Sequence, residues 1–226
     1  MTAVLYEPSK QFIRALKPYH SDALTDTMNV FSVLGDGEVF FYFSMAFFAT
    51  GNRRAFIFTS STYTVTIYFL SWLKLQFHSS RPQFDDPTLG IVNGSVFCSG
   101  EFGNPSGHAL CASGFTLTLL SFWQADHPEW FKKNPGKSLA IKVFIWTYIC
   151  CVCACRIYLG RHSFDQVILG LAVGIYLTHF FTYCYKPFMF DRVCYPSKNE
   201  DLKVSAARAY KAFKISTLVY ILLVVQ

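Results

Sequence analysis

At 226 residues, with 52% hydrophobic and 18% aromatic side chains and charge confined to 15%, the chain is too apolar for an ordinary soluble domain. A mean hydropathy of +0.29 makes a membrane protein the simplest class. The net charge of +6 does not by itself imply a nucleic-acid partner, and none is expected; in a membrane protein Lys and Arg report orientation through the positive-inside rule.

Residues 1–20 carry Glu7, Lys10, Arg14 and Lys17 without an apolar core, so they do not read as a signal peptide. Insertion is expected to rest on the first internal apolar segment. A short amphipathic helix on the membrane surface is expected around residues 12–16. The first candidate span, 28–50, carries Asp36 and Glu38 between and after glycines, which is costly in hydrocarbon. Two readings stay open: an interfacial helix start with the buried part beginning near Val39, or acids facing a polar cavity. The first is the simpler.

A basic turn at 51–54 leads to residues 55–73, which hold no charge and are long enough to cross a ~30 Å hydrocarbon core. The polar connection from Lys74 to His108 contains Arg81-Pro82, Asp85, Asp86 and the sequon Asn93-Gly94-Ser95, a possible glycosylation site. Residues 109–123 are apolar, and 124–138 are polar and basic. Residues 139–155 form a fourth apolar run, in which Lys142 can snorkel. Residues 166–185 form a fifth, whose Gly170-x-x-x-Gly174 suits close helix packing more than self-association. A basic connection, 186–214, precedes a last apolar run, 215–225. At ~1.5 Å per residue that run is too short to span. The chain is expected either to be shortened relative to a longer parent or to end in a helix that only enters the bilayer. The expected fold is all-α: a polytopic membrane helical bundle of about six helices in one domain over 1–226, with its site at the helix ends on one membrane face.

The eight cysteines do not resemble a disulfide framework, since most lie in or beside apolar runs, where Cys acts as a small hydrophobe. No spacing matches a zinc site.

Alternating spans bring particular polar residues to one face. Lys74 follows the second span, His108 precedes the third, Arg156 follows the fourth and His162 precedes the fifth. Pro105 suits a first helical turn, and such a start offers unpaired N–H groups and the positive end of a helix dipole to an anion. Two histidines, fixed cations and a helix N-terminus on one surface suit phosphate, which Arg binds bidentately while Lys and backbone N–H groups complete the cradle.

Lys74-x6-Arg81-Pro82, Pro105-Ser106-Gly107-His108 and Arg156-x5-His162 resemble, in order, the three motifs of the type 2 phosphatidic acid phosphatase superfamily. The resemblance covers about residues 30–185. That superfamily includes lipid phosphate phosphatases, sphingosine-phosphate phosphatases, glucose-6-phosphatase and vanadium haloperoxidases. The resemblance implies a metal-independent phosphatase with no cofactor, in which His162 is the nucleophile and forms a phosphohistidine. His108 would protonate the leaving oxygen and then serve as base for water. Lys74, Arg81 and Arg156 would hold the phosphoryl oxygens, with the Ser106 hydroxyl and the Gly107 N–H as further donors.

Two positions depart from the family pattern. Cys155 stands where Ser usually precedes the third-motif Arg, and Gln166 stands where an Asp usually orients the nucleophile. Gln can orient His162 but supplies no charge, and glucose-6-phosphatases similarly carry Gln there. Asp165 points about 100° away at helical spacing and is not assigned as the partner. His78, His127 and His179 read as bystanders, and Arg161 as a cation bordering the site.

Twelve Lys and Arg on the non-catalytic face against seven on the catalytic face favour a site opening to the lumen of the endoplasmic reticulum or the exterior. Asn93 agrees, because a used sequon faces that side. The expected partners are membrane lipids and a phosphorylated substrate, a lipid phosphate first and a glucose-6-phosphatase-like sugar phosphate second. A non-enzymatic membrane subunit that kept the fold is the competing class.

Overall fold

The structure is a computed structural model that describes residues 2–89 and 100–194. Asn93 and the run 215–225 lie outside the described residues. The described elements are all helical: α1 (Thr2–Leu16), α2 (Asp22–Leu34), α3 (Gly37–Ala49), α4 (Arg53–Phe77), α5 (Pro82–Asp85), α6 (Gly107–Asp126), α7 (Pro128–Lys133), α8 (Pro135–Tyr158) and α9 (Phe164–His179). Local sequence accounts for their starts. Ser21 accepts from the Leu24 N–H to cap α2, Asn52 accepts from Ala55 N at 3.1 Å to cap α4, and Pro128 and Pro135 open α7 and α8.

By length and composition, Pro135–Tyr158 and Phe164–Pro187 can each cross a membrane, and α2 with α3, bent by 52°, together make a third candidate. In place of one continuous helix at 28–50 the structure has this bent pair, which starts earlier, at Asp22. Helix α4 is less apolar because it carries a stripe of threonines. The hydroxyls of Thr59 and Thr62 turn back onto the helix, onto Ala55 O and Phe58 O, both at 2.8 Å, so these two buried polar atoms are satisfied internally.

Helices α6 and α9 meet backbone to backbone. A Cβ on Gly174 would lie 2.8 Å from Leu110 O, and one on Gly170 would lie 2.5 Å from Ser106 O. The Gly170-x-x-x-Gly174 face thus serves close packing within the chain. Helix α2 lies on α8, with Tyr148 Oη donating to Leu34 O at 2.8 Å. At the end remote from the histidines, Arg54 on α4 holds Asp126 on α6 through two bonds of 3.0 and 3.2 Å.

Helix α1 is longer than the expected 12–16, running from Thr2 to Leu16, and turns one face inward. Ile13 is wholly buried, and the Phe12 ring packs on Phe164 at 5.1 Å. Ser9 Oγ accepts the Phe164 N–H at 2.9 Å, filling one orphan donor at the start of α9. Tyr6 Oη donates to Asp85 and Arg14 Nη2 to Asp86, each at 2.5 Å. The N-terminal helix therefore straps the loops that carry the histidines and arginines.

The chain divides into two compact units, residues 1–178 and 179–226. In the second, the described part is a widely wound helical segment, Phe180–Cys194, holding a Lys186–Asp191 ion pair of 3.0 Å.

Candidate active site

The four helix ends come together. One cavity of about 210 Å³ is lined by Lys74, Arg81, Gly107, His108, Arg156 and His162, together with Asp36, Glu38, Glu101 and the apolar side chains Ile67, Leu70 and Cys111.

Each polar residue is placed by a local device. Lys74 sits inside the last turn of α4 and not beyond it, since that helix runs on to Phe77. Its Nζ pairs with the Glu101 carboxylate. Arg81 precedes Pro82, which keeps it extended at the start of α5, and its Nε donates to Glu101 O at 3.0 Å. Arg81 is buried, which pulls its pKa down, with Glu101 opposing the shift and Arg161 adding to it. Lys74 holds the Glu101 carboxyl below the usual carboxylate range by hydrogen bonding.

Helix α6 begins at Gly107, with Ser106 as N-cap, so Pro105 stands just outside the helix and not in its first turn. A Cβ on Gly107 would meet Leu70 Cδ2 at 3.1 Å and Lys74 Nζ at 3.9 Å. Glycine therefore lets the α6 start close on the last turn of α4. Ser106 is wholly buried on the α9 side, its N–H donating to Gln166 O at 2.9 Å, and it does not line the cavity. Gly107 does.

Arg156 and His162 are joined by the ending of α8. Arg161 N donates to Arg156 O and Gly160 N to Ile157 O, both at 3.0 Å, with Gly160 at φ +67°. This is a Schellman ending, and it folds the chain back so that His162 hangs over the helix terminus carrying Arg156. Arg156 Nη1 donates to Ser32 Oγ on α2 at 2.6 Å, and its Nε is buried without a partner among the described residues.

His162 Nδ1 lies 3.1 Å from Gln166 Oε1. The amide orientation is fixed at its other end, because Gln166 Nε2 donates to Ser80 O at 2.8 Å while Oε1 accepts the Ser163 N–H at 3.3 Å. Oε1 can only accept, so the network assigns Nδ1 as the protonated nitrogen and leaves the lone pair on Nε2. Burial, then the charges of Arg156 and Arg81, push the His162 pKa well below 6.5, with the Gln166 bond pulling weakly the other way. A neutral imidazole with a directed lone pair beside three fixed cations can attack a bound phosphorus centre.

The cavity also holds residues that the sequence left open or did not indicate. Asp36 sits at the break between α2 and α3 and faces the cavity, so the interfacial-start reading gives way to the polar-cavity one. Its signal was the Gly35-Asp36-Gly37 triplet inside an apolar run. Ser32 and Glu101 had no sequence signal. The bystander reading of His78 agrees with its place at the left-handed end of α4, its ring against Phe102 at 5.0 Å.

An all-helical membrane bundle with histidines and fixed cations gathered at its helix ends defines the class of protein. The PAP2 superfamily matches residues 53–190, more than half of the chain, and the chain belongs to that superfamily. In fold it is similar to a crystal structure, described as that of the first transmembrane PAP2-type phosphatidylglycerolphosphate phosphatase from Bacillus subtilis. The TM-score is 0.65 at 17% identity, over 80% of this chain and 85% of that one. No curated protein matches the chain.

Proposed function

We propose that this protein is an integral-membrane phosphatase that hydrolyses a phosphomonoester, foremost a lipid phosphate, through a phosphohistidine on His162. The observation that carries this reading is the His162 ring, its Nδ1 tied to Gln166 Oε1, lining one cavity with Lys74, Arg81 and Arg156. Nε2 attacks phosphorus as the ester P–O bond breaks, and His108 supplies the proton to the departing oxygen. Water then attacks the phosphohistidine, giving its proton to His108, and the P–N electron pair returns to His162. Lys74, Arg81, Arg156 and the Gly107 N–H hold the charge spread over the phosphoryl oxygens. Gln166 keeps the ring in its reactive tautomer.

A sugar phosphate is the second reading. Asp36, Glu38 and Glu101 line the same cavity, and carboxylates accept hydrogen bonds from sugar hydroxyls. The non-catalytic face carries Arg53, Arg54, Lys132, Lys133 and Lys137, which supports a site opening away from the cytosol, in the endoplasmic reticulum lumen or outside the cell.

Phosphate release by purified protein from phosphatidic acid, sphingosine phosphate, an isoprenyl diphosphate and glucose-6-phosphate distinguishes these substrates. Turnover is expected without added metal, unchanged by chelator and inhibited by vanadate. It is lost in His162→Ala, which also fails to trap labelled phosphate. Full turnover by that variant sinks the nucleophile assignment, and no turnover of any ester by the intact protein returns it to the non-enzymatic class.

A further inference from the structure

Residues 22–49 lie outside the segment that the superfamily matches, yet α2 and α3 place two polar groups at the site. Ser32 Oγ accepts from Arg156 Nη1 at 2.6 Å. Asp36 Oδ2 stands 3.9 Å from His108 Nε2. The break that carries Asp36 is wedged on both sides: a Cβ on Gly35 would meet Val152 Cγ1 of α8 at 2.6 Å, and one on Gly37 would meet Ile67 Cδ1 of α4 at 3.2 Å. Glycines on either side let the unwound turn fit between α8 and α4, which fixes the backbone that carries the half-exposed Asp36 carboxylate. Its Oδ1 faces Glu38 N at 3.5 Å as the α3 cap, which leaves Oδ2 toward the histidine. Interrupted backbone and an acid inside a spanning segment are tolerated where they line a polar cavity, and a charge kept there marks function.

The chemistry asks for such a group. An acid that protonates a leaving alkoxide must itself carry a proton, yet burial first, and then the charges of Arg156, Arg81 and Lys74, push the His108 pKa well below 6.5, so a negative charge beside the ring is needed to keep it protonated. Of the carboxylates in the cavity, Glu101 is engaged with Lys74, whereas Asp36 is paired with His108. We infer that Asp36 is the positioning and charge partner of His108, holding the protonated ring ready to act as acid at the leaving oxygen. This rests on the acid role given to His108 in the proposed function. In the step, the His108 N–H bond breaks as its proton joins the ester oxygen. The P–O electron pair goes to that oxygen and the His162 Nε2–P bond forms. Asp36 stays ionised throughout. At 3.9 Å the pair is longer than a hydrogen bond, as acid–base contacts in substrate-free sites often are.

The test is a leaving-group comparison. An aryl ester such as p-nitrophenyl phosphate releases a stable phenolate and needs little protonation, whereas an alkyl ester such as phosphatidic acid needs it fully. Read as kcat/KM, Asp36→Asn, which keeps the helix cap, is expected to lose on the order of 10- to 100-fold on the alkyl ester, part of the 10²–10⁴ typical of acid catalysis. On the aryl ester it should lose less than about 3-fold. Asp36→Glu should recover part of the loss, and Asp36→Asn combined with His108→Ala should be no slower than His108→Ala alone. Equal losses on both esters, or losses that multiply with His108→Ala, overturn the inference, and Asp36→Glu decides the matter if Asp36→Asn does not fold. If His108→Ala itself shows no leaving-group dependence, it is the proposed acid role of His108 that fails.

Discussion

His162 shows how much a single side chain depends on its frame. Its ring is wholly buried, its tautomer is set by Gln166, and its place over Arg156 is set by the left-handed Gly160. An L side chain in that conformation costs about 1–2 kcal/mol. Gly160→Val is therefore expected to destabilise the protein by about that amount and to lower kcat further by displacing His162, while Gly160→Asn, which tolerates the conformation, should lose less. Thermal melts in detergent beside kcat separate the two effects. The depressed pKa of His162 also has a stability consequence. An unfolded His titrates near 6.5, and the folded ring refuses its proton until lower pH. The contribution is fully present above pH 6.5 and is lost as pH falls from there through the folded value. The melting temperature should fall with acidification below pH 6.5, and less steeply in His162→Ala; equal slopes would contradict the assigned environment.

At the scale of elements, the contact that fixes the site most tightly is the glycine face between α6 and α9. Gly170 lies against Ser106 O and Gly174 against Leu110 O, so the α6 start carrying His108 is registered against the helix carrying Gln166. Gly174→Leu must separate these helices, and overpacking of this kind costs about 1–3 kcal/mol. We expect reduced thermal stability and, because His108 and His162 move apart, reduced turnover of every ester alike. The α1 strap is electrostatic at its edge. Arg14 pulls the Asp86 pKa down from 3.8 to about 2 by hydrogen bonding, so this contact is at full strength above pH 3.8 and is lost as pH falls through about 2.

Over the whole molecule, the ends of α4 and α8 and the starts of α6 and α9 share one face, while Arg54 and Asp126 tie α4 to α6 at the other. The Lys and Arg excess on that second face leads us to expect Lys132→Cys to react with an impermeant thiol reagent only from the cytosolic side. A label at Lys10→Cys should need access from the lumen or exterior. The reverse pattern would invert the proposed orientation.

The sequence by itself determined the class and the two apolar runs at 139–155 and 166–185 that are long and apolar enough to cross a membrane, because hydropathy is a local property written in consecutive residues. Lys74, His108, Arg156 and His162 were placed on one face by span counting, and the cavity contains all four. Its errors were also local: the break in the first span, the exact turn holding Lys74 and Arg156, and the helix start after Pro105. Tertiary structure alone decided that Asp36 faces His108, that Ser32 holds Arg156, that Glu101 occupies Lys74, and that Gln166 grips Ser80 as well as His162. Those partners lie far apart in the chain, and whether a buried polar atom is satisfied depends on which helices pack against it.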